Sequence, residues 1–114
     1  WDGLEKLSDE GKIVRPTIPE GCAHNAHMFY LKARDLEERT ALISYLKEQG
    51  VQAVFHYIPL HTAPAGRRYG MFAGEDRYTT RESERLVRLP LYYNLSLEQA
   101  DYVIDKVNAF YKER

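Results

Sequence analysis

The end of the chain constrains the fold most strongly, because it carries an apolar stripe at helical spacing. The stripe consists of Ala100, Val103, Ile104, Val107 and Phe110. Residues at this spacing lie on one face of a helix, and such a face has to be buried against other elements. Ser96 and Gln99 have the spacing of a reciprocal N-terminal cap, and Leu95 is placed to pack on Ala100. The sequence therefore predicts a final helix that covers the rest of the domain.

A second capped helix is predicted in the middle of the chain. The carboxylate of Asp35 is expected to cap it, with Glu38 reaching back, and Gly50 is expected to end it in the left-handed conformation. Its predicted apolar face consists of Leu36, Leu42, Ile43 and Leu46.

Two shorter helices are also predicted. Apolar residues at positions 1, 4 and 7 predict a short helix at the start of the chain, and Thr79 with Glu82 predicts a short capped helix near residue 80.

Four strands are predicted between these helices, over residues 12–17, 27–32, 51–57 and 87–90. In the third strand Ala53, Phe55 and Tyr57 are expected on one side, opposite Val54 and His56. Residues 60–79 predict a long loop with room for one helical turn, in which glycines at 66, 70 and 74 provide flexibility. The element order predicts one α+β domain over residues 1–114, a two-layer sandwich with a small mixed or antiparallel sheet and helices on one face.

Composition excludes several classes of partner. The chain has 114 residues, and its 16 basic and 17 acidic side chains leave a formal charge of −1. Because there is no basic stripe, we expect no nucleic-acid partner. The sequence has no apolar run of membrane length and no secretory signal pattern, so we expect no membrane partner and a cytoplasmic location. The first residue is Trp rather than Met, and we expect a piece of a longer protein.

Cys22, His24 and His27 lie within six residues of one another, which raises the question of a metal site or a nucleophile. Zinc motifs normally combine two closely spaced pairs of ligands, and this segment has no second pair. No glycine turn positions Cys22 as a nucleophile either. We therefore expect no metal site, with Cys22 a turn or small buried residue and the histidines ordinary hydrogen-bonding residues.

The segment 56–61, with the sequence HYIPLH, is the best candidate for ligand binding. His56, Tyr57 and His61 provide hydrogen-bond donors and acceptors at the end of a strand, which suits a hydroxylated, anionic ligand. The alternative, in which Tyr57 is a core aromatic and His56 an ordinary surface residue, stays open. Arg68 follows Arg67 in the predicted loop and could bind phosphate, although adjacent arginines in loops are more often solvated.

These residues resemble a known family, the DegT/DnrJ/EryC1/StrS sugar aminotransferases, in its C-terminal domain. The similar motifs are residues 24–30, Arg34-Asp35, Gly50-Val51, the HYIPLH segment, and Leu89-Pro90-Leu91 before residues 95–98. The resemblance implies the small C-terminal domain of a fold-type I enzyme that uses pyridoxal 5'-phosphate. It also implies transfer of an amino group from glutamate to a dTDP-4-keto-6-deoxyhexose by the full-length enzyme.

The resemblance further implies which parts of the site belong to this chain. His56, Tyr57, His61 and Arg68 would bind the nucleotide sugar. The lysine that holds the cofactor would lie on a missing N-terminal large domain, because no lysine here has a similar context, so we expect no catalytic and no cofactor-binding residue on this chain. The implied partners are that large domain, a second copy in a homodimer or higher homo-oligomer, the nucleotide sugar and glutamate. The alternative is a free-standing α+β module that binds a ligand or protein without enzymatic activity.

Overall fold

The computed structural model describes residues 1–112 and consists of five α-helices and a small three-stranded sheet among these residues. A 3₁₀ turn at Asp2–Leu4 leads into the first helix, and another at Leu60–Thr62 precedes the third. The helices are α1 (Glu5–Asp9), α2 (Leu36–Glu48), α3 (Pro64–Tyr69), α4 (Thr79–Arg85) and α5 (Leu97–Lys112). The strands are β1 (Phe29–Lys32), β2 (Val54–Phe55) and β3 (Leu86–Leu89). Within the described residues no helix has both the length and the apolar character needed to cross a bilayer.

The sheet is antiparallel, and β3 lies in its centre between β1 and β2. Leu31, Val87 and Phe55 are directly opposite one another across the three strands, so they share one face. Leu31 and Val87 are fully buried in the same core as residues of α1, α2 and α5. The opposite face carries Tyr30, Arg88 and Val54. The predicted two-layer α+β sandwich with helices on one face is confirmed.

Helix α5 has the predicted cap and apolar stripe. The backbone N–H of Gln99 donates to Ser96 Oγ at 3.1 Å, and that of Ser96 donates to Gln99 Oε1 at 3.0 Å. Val103, Val107 and Phe110 are buried in the core. The reciprocal cap satisfies backbone donors at the helix start, and the stripe anchors the helix over the domain.

Helix α2 also begins and ends where the sequence predicts, although its cap differs in detail. The backbone N–H of Glu38 donates to Asp35 Oδ1 at 2.9 Å, and Gly50 has a φ of +74° just after the helix. The Glu38 carboxylate accepts from the Arg34 N–H at 2.7 Å and from the Tyr111 hydroxyl at 3.3 Å. Glu38 is buried, and these hydrogen bonds compensate for the loss of water around its carboxylate.

The prediction that Leu36 belongs to the buried face of α2 is wrong. Leu36 is 42% exposed, whereas Leu42 and Leu46 are completely buried. At 3.6 residues per turn, Leu36 lies about 120° around the helix from Leu42. A residue at that angle in the first turn does not reach the core.

Two predicted strands are shorter in the structure. Residues 12–17 form only a bridge between Val14 and Lys32. The next antiparallel pair would place Pro16 opposite Tyr30, and proline has no N–H to donate to the ladder. Residues 51–57 form a strand only at Val54–Phe55.

The loop predicted over residues 60–79, with room for one helical turn, contains more helix than predicted in its first half. The 3₁₀ turn and α3 occupy residues 60–69, and α3 packs closely against the turn. A Cβ atom on Gly66 would lie 1.6 Å from the carbonyl oxygen of Leu60. Gly66 therefore permits a close approach of two backbones.

Helix α4 is present, but the predicted cap by Thr79 and Glu82 is wrong. Asp76 lies at the helix start instead, where its Oδ1 accepts from the Thr80 backbone N–H at 3.3 Å. Glu82 is occupied elsewhere, because it accepts a 2.8 Å hydrogen bond from Lys32 Nζ on β1. The short aspartate side chain thus replaces threonine as the local acceptor.

Candidate functional site

The segment 56–61 follows β2 directly, and its first two side chains, His56 and Tyr57, are in contact. The rings of His56 and Tyr57 meet edge to face, with their centroids 4.6 Å apart. Tyr57 is 70% exposed, so it is not a core aromatic of this chain. Its carbonyl oxygen accepts a 2.6 Å hydrogen bond from the Ser83 hydroxyl on α4, which anchors the segment. Among the described residues, none hydrogen-bonds to the buried Nδ1 of His56.

His61 lies in a separate cluster of polar groups. Its Nε2 is 2.7 Å from Asp76 Oδ2, and the Thr80 hydroxyl is 3.3 Å from the same nitrogen. The ring of Phe72 packs against the imidazole with the centroids 4.3 Å apart. His61 therefore has a fixed orientation between α3 and the start of α4.

The Asp76 carboxylate at the centre of this cluster is stabilised in its charged form. The Thr80 hydroxyl donates to Oδ2 at 2.5 Å, the Thr80 backbone N–H donates to Oδ1 at 3.3 Å, and His61 Nε2 lies 2.7 Å from Oδ2. The pKa of Asp76 is lowered, and the hydrogen bond from the Thr80 hydroxyl is the largest cause. The contacts with His61 and the Thr80 backbone N–H lower it further, whereas desolvation of the carboxyl by burial acts in the opposite direction. Asp76 is therefore an ionised acceptor at neutral pH.

Arg68 lies apart from the other three candidates. It is in the last turn of α3 rather than in a loop, and its guanidinium stacks 5.1 Å from the ring centroid of Tyr69. Within the described residues no hydrogen bond or ring contact joins it to the three other candidates. The structure thus brings His56 and Tyr57 into contact and places His61 and Arg68 separately.

Two concave surfaces lie near this region. His61 lines a mainly apolar hollow of about 700 Å³, together with residues of α3 and with Met71 and Phe72. A groove of about 1050 Å³ runs between the end of β3 and the start of α5 and is lined by Val54, Arg88 and Tyr92 among others. None of the four predicted site residues lines the groove.

Sequence reasoning missed Asp76, Thr80 and Arg88. An aspartate four residues before a threonine at a helix start is a recognisable local acceptor, which was the available signal for the first two. Arg88 interrupts an apolar strand between Val87 and Leu89, and its Nε is buried without a partner among the described residues.

The cysteine and histidine segment forms local turn contacts. Cys22 is exposed, and its N–H donates to the Pro19 carbonyl at 3.1 Å, as predicted for a turn residue. His24 Nδ1 accepts from the Ala26 N–H at 2.9 Å, and the His24 and His27 rings are stacked. In residues 1–112 no group of three metal-ligating side chains could hold a metal ion.

Lys12 and Lys32, two of the six lysines in the sequence, are poor candidates for a Schiff base with an aldehyde cofactor. Lys12 and Lys32 line a cavity of about 400 Å³, and both amines are engaged in it. Lys12 Nζ donates to the Tyr111 carbonyl at 2.8 Å, and Lys32 Nζ pairs with Glu82. A Schiff-base lysine needs an amine that is free to react, and these two are not.

The chain is similar in sequence to a defined family. Residues 2–108 match the profile of the DegT/DnrJ/EryC1/StrS aminotransferase family. A pleiotropic regulatory protein of Geobacillus stearothermophilus is 30% identical over 88% of this chain and 26% of its own length. The dTDP-3-amino-3,6-dideoxy-alpha-D-galactopyranose transaminase of Aneurinibacillus thermoaerophilus is 31% identical over 86% of this chain and 26% of its own length.

The chain is also similar in fold to solved aminotransferase structures. The aminotransferase TlmJ of Streptoalloteichus hindustanus superposes with a TM-score of 0.82 at 27% identity, over 98% of this chain and 30% of that one. DesV of S. venezuelae, solved in complex with a ketimine intermediate, superposes with a TM-score of 0.82 at 26% identity. The match covers 99% of this chain and 30% of the DesV chain. The chain therefore spans less than a third of the length of these relatives.

Proposed function

The chain belongs to the DegT/DnrJ/EryC1/StrS aminotransferase family, and we propose that it is the small C-terminal domain of a sugar-nucleotide aminotransferase dependent on pyridoxal 5'-phosphate. The observation that carries this proposal is the family match over residues 2–108. The full-length enzyme would transfer an amino group from glutamate to a keto sugar. A domain of this length, about 30% of the similar enzymes, would contribute one side of the substrate site.

We place the cofactor outside this chain. When bound, pyridoxal phosphate supplies the electron sink that amino transfer requires. The engaged amines of Lys12 and Lys32 support its location on a separate large domain. This chain would then carry no catalytic residue, and its contribution would be binding and orientation of the nucleotide sugar.

His56, Tyr57, His61 and Arg68 are the residues proposed to bind the nucleotide sugar. The exposed phenol of Tyr57 can donate to or accept from sugar hydroxyls, and the edge-to-face contact with His56 limits the freedom of both rings. His61 offers a second imidazole at the apolar hollow. Arg68 would contact phosphate, for which a guanidinium is well suited.

We propose a dTDP-4-keto-6-deoxyhexose, specifically dTDP-4-keto-6-deoxyglucose, as the substrate. The product would be dTDP-4-amino-4,6-dideoxygalactose, as used in enterobacterial common antigen and lipopolysaccharide biosynthesis. The support is the HYIPLH segment and its resemblance to enzymes of that kind. The Aneurinibacillus relative is named for a product with its amine on C3, so the position of the new amine is the decisive property.

The experiment uses the full-length protein with pyridoxal phosphate, glutamate and either the 4-keto or the 3-keto dTDP-6-deoxy sugar. NMR of the product locates the new amine. An amine on C4 supports the proposed substrate, whereas an amine only on C3 overturns that substrate and retains the reaction class. No amino transfer to either sugar overturns the proposed substrate, and no amino transfer to any keto sugar nucleotide overturns the proposed function.

The roles of His56 and Tyr57 are tested in the same full-length protein. We expect Tyr57→Phe and His56→Ala each to raise KM for the nucleotide sugar about tenfold, since each removes a hydrogen bond to the substrate. The half-reaction with glutamate is expected to stay unchanged. Tyr93→Phe is the matched control, because Tyr93 is fully exposed outside the segment. Unchanged turnover and affinity in both variants would contradict the assignment.

We also propose that the full-length enzyme is a cytoplasmic homodimer or higher homo-oligomer. Large exposed apolar side chains in the segment 57–78, including Leu60 and Met71, support partners that cover this surface. The large domain of the same polypeptide and a second subunit are the two partners proposed.

A further inference from the structure

His61 has two ring nitrogens, and the structure gives a protein partner to one of them. Nε2 lies 2.7 Å from Asp76 Oδ2 and 3.3 Å from the Thr80 hydroxyl. Among residues 1–112, none hydrogen-bonds to Nδ1. The two nitrogens therefore have different chemical environments, and Nδ1 is the one that remains for a ligand.

The donors around Asp76 decide where the proton of a neutral His61 lies. An ionised carboxylate only accepts hydrogen bonds, so the nitrogen that faces it has to carry the proton. Asp76 is held in the ionised form by the Thr80 hydroxyl on Oδ2 and by the Thr80 backbone N–H on Oδ1. The neutral imidazole then has its proton on Nε2 and a lone pair on Nδ1.

The surrounding backbone keeps this arrangement in place. The Thr62 hydroxyl donates to the Pro59 carbonyl at 2.9 Å within the 3₁₀ turn that carries His61. Gly66 allows α3 to pack directly on the same turn, and Phe72 covers one side of the imidazole. The ring is therefore oriented before any ligand binds.

We propose that Asp76, supported by Thr80, is a positioning residue that fixes His61 in the Nε2–H tautomer, so that Nδ1 accepts a hydrogen bond from a hydroxyl group of the nucleotide sugar. This inference rests on the proposed function, because it takes His61 as a substrate-binding residue. Asp76 itself does not touch the substrate.

The Asp76→Asn variant tests the assignment of the proton. The Thr80 backbone N–H requires an acceptor at the position of Oδ1, so the new amide nitrogen would occupy the position of Oδ2. That nitrogen donates to His61 Nε2, and the proton of the imidazole moves to Nδ1. Glu75→Gln is the matched control, because the neighbouring carboxylate pairs with Arg77.

The first measurement is ¹⁵N NMR of histidine-labelled full-length holoenzyme, with the His61 signals assigned from a His61→Gln variant. We expect the Nε2–H tautomer in the wild type and in Glu75→Gln, and the Nδ1–H tautomer in Asp76→Asn. A proton on Nδ1 in the wild type, or an unchanged tautomer in Asp76→Asn, overturns the proposal.

The second measurement separates the nucleotide-sugar and glutamate half-reactions. We expect Asp76→Asn to raise KM for the nucleotide sugar about tenfold and leave the glutamate half-reaction unchanged. Thr80→Val, which keeps the carboxylate and loses its supporting hydroxyl, is expected to raise this KM about threefold. This second variant also keeps the test valid if Asp76→Asn does not fold.

The two proposals fail in distinguishable ways. Unchanged KM in both variants of an active enzyme overturns the role of the tautomer in substrate binding. Failure of the wild type to transfer an amino group to any keto sugar overturns the proposed function and the substrate part of this inference. The spectra decide the tautomer part in either case.

Discussion

At the residue scale, Gly66 shows how one missing side chain shapes the candidate site. Its Cα lies so near the 3₁₀ turn that an added Cβ would be 1.6 Å from the Leu60 carbonyl oxygen. The same turn carries His61, which depends on it for its position beside Asp76. The glycine spacing in the sequence indicates flexibility, but the packing of α3 makes Gly66 a requirement for close contact.

We predict that Gly66→Ala lowers the free energy of unfolding by at least about 2 kcal/mol, because the overlap is with backbone atoms that have to shift. Gly70→Ala is the control, since its Cβ would lie 3.1 Å from the Gly66 carbonyl oxygen, a much milder contact. It is expected to cost less than about 1 kcal/mol. Urea denaturation of both variants checks this difference, and equal stability of the two would contradict the packing argument.

At the element scale, the two longest helices, α2 and α5, follow from the sequence together with their caps, whereas the strand predicted over residues 12–17 does not form. Ser96 and Asp35 are acceptors close in sequence to the donors they satisfy, so their roles follow from local order. The strand predicted over residues 12–17 fails because Pro16 would have to pair with a distant residue, Tyr30.

The same distinction applies to the candidate site. Tyr57 is exposed, and its role in ligand binding stays a prediction. The pairing of His61 with Asp76 joins residues 15 positions apart, and it depends on the turn of α3 between them. Hydrophobic periodicity gives no information about such a contact, because the packing of α3 against the 3₁₀ turn decides it.

The cap of α2 gives a prediction about pH. The pKa of Asp35 is lowered from its ordinary value of 3.8. The largest cause is the hydrogen bond from the Glu38 backbone N–H, and the second is the hydrogen bond from the Arg34 side chain. A group with a lowered pKa stabilises the fold above its unfolded pKa and loses this effect as the pH falls through the folded value. We therefore expect Asp35→Ala to lower the melting temperature at pH 7 and to have progressively less effect below pH 3.8.

Thermal unfolding of the wild type and Asp35→Ala at several pH values between 7 and 2 measures this effect. Glu37→Ala is the control, because Glu37 is exposed in the same helical turn and is not the cap. It should change the melting temperature little at any of these pH values. A difference between wild type and Asp35→Ala that persists undiminished at the lowest pH would contradict the role of the ionised cap.

At the scale of the whole molecule, the exposed apolar side chains are the least expected property of a small domain. The most exposed of them in the segment 57–78 are Tyr57, Ile58, Leu60, Tyr69, Met71 and Tyr78. A concentration of exposed apolar side chains in one segment is typical of an interaction site. The chain spans less than a third of its relatives, and the rest of a longer enzyme would offer the partner surface.

We predict that a protein consisting of residues 1–114 alone self-associates, because burial of this apolar surface between copies is favourable at about 25 cal/mol per Å². Light scattering at increasing concentration should give at least twice the monomer mass. The double variant Tyr69→Ser and Met71→Ser should shift association to higher concentration, whereas Tyr93→Ser with Leu97→Ser, at exposed positions outside the segment, should shift it less. A monomer at every concentration would show that the exposed segment does not drive association by itself, and the apolar-surface argument for an oligomeric enzyme would then lose its support.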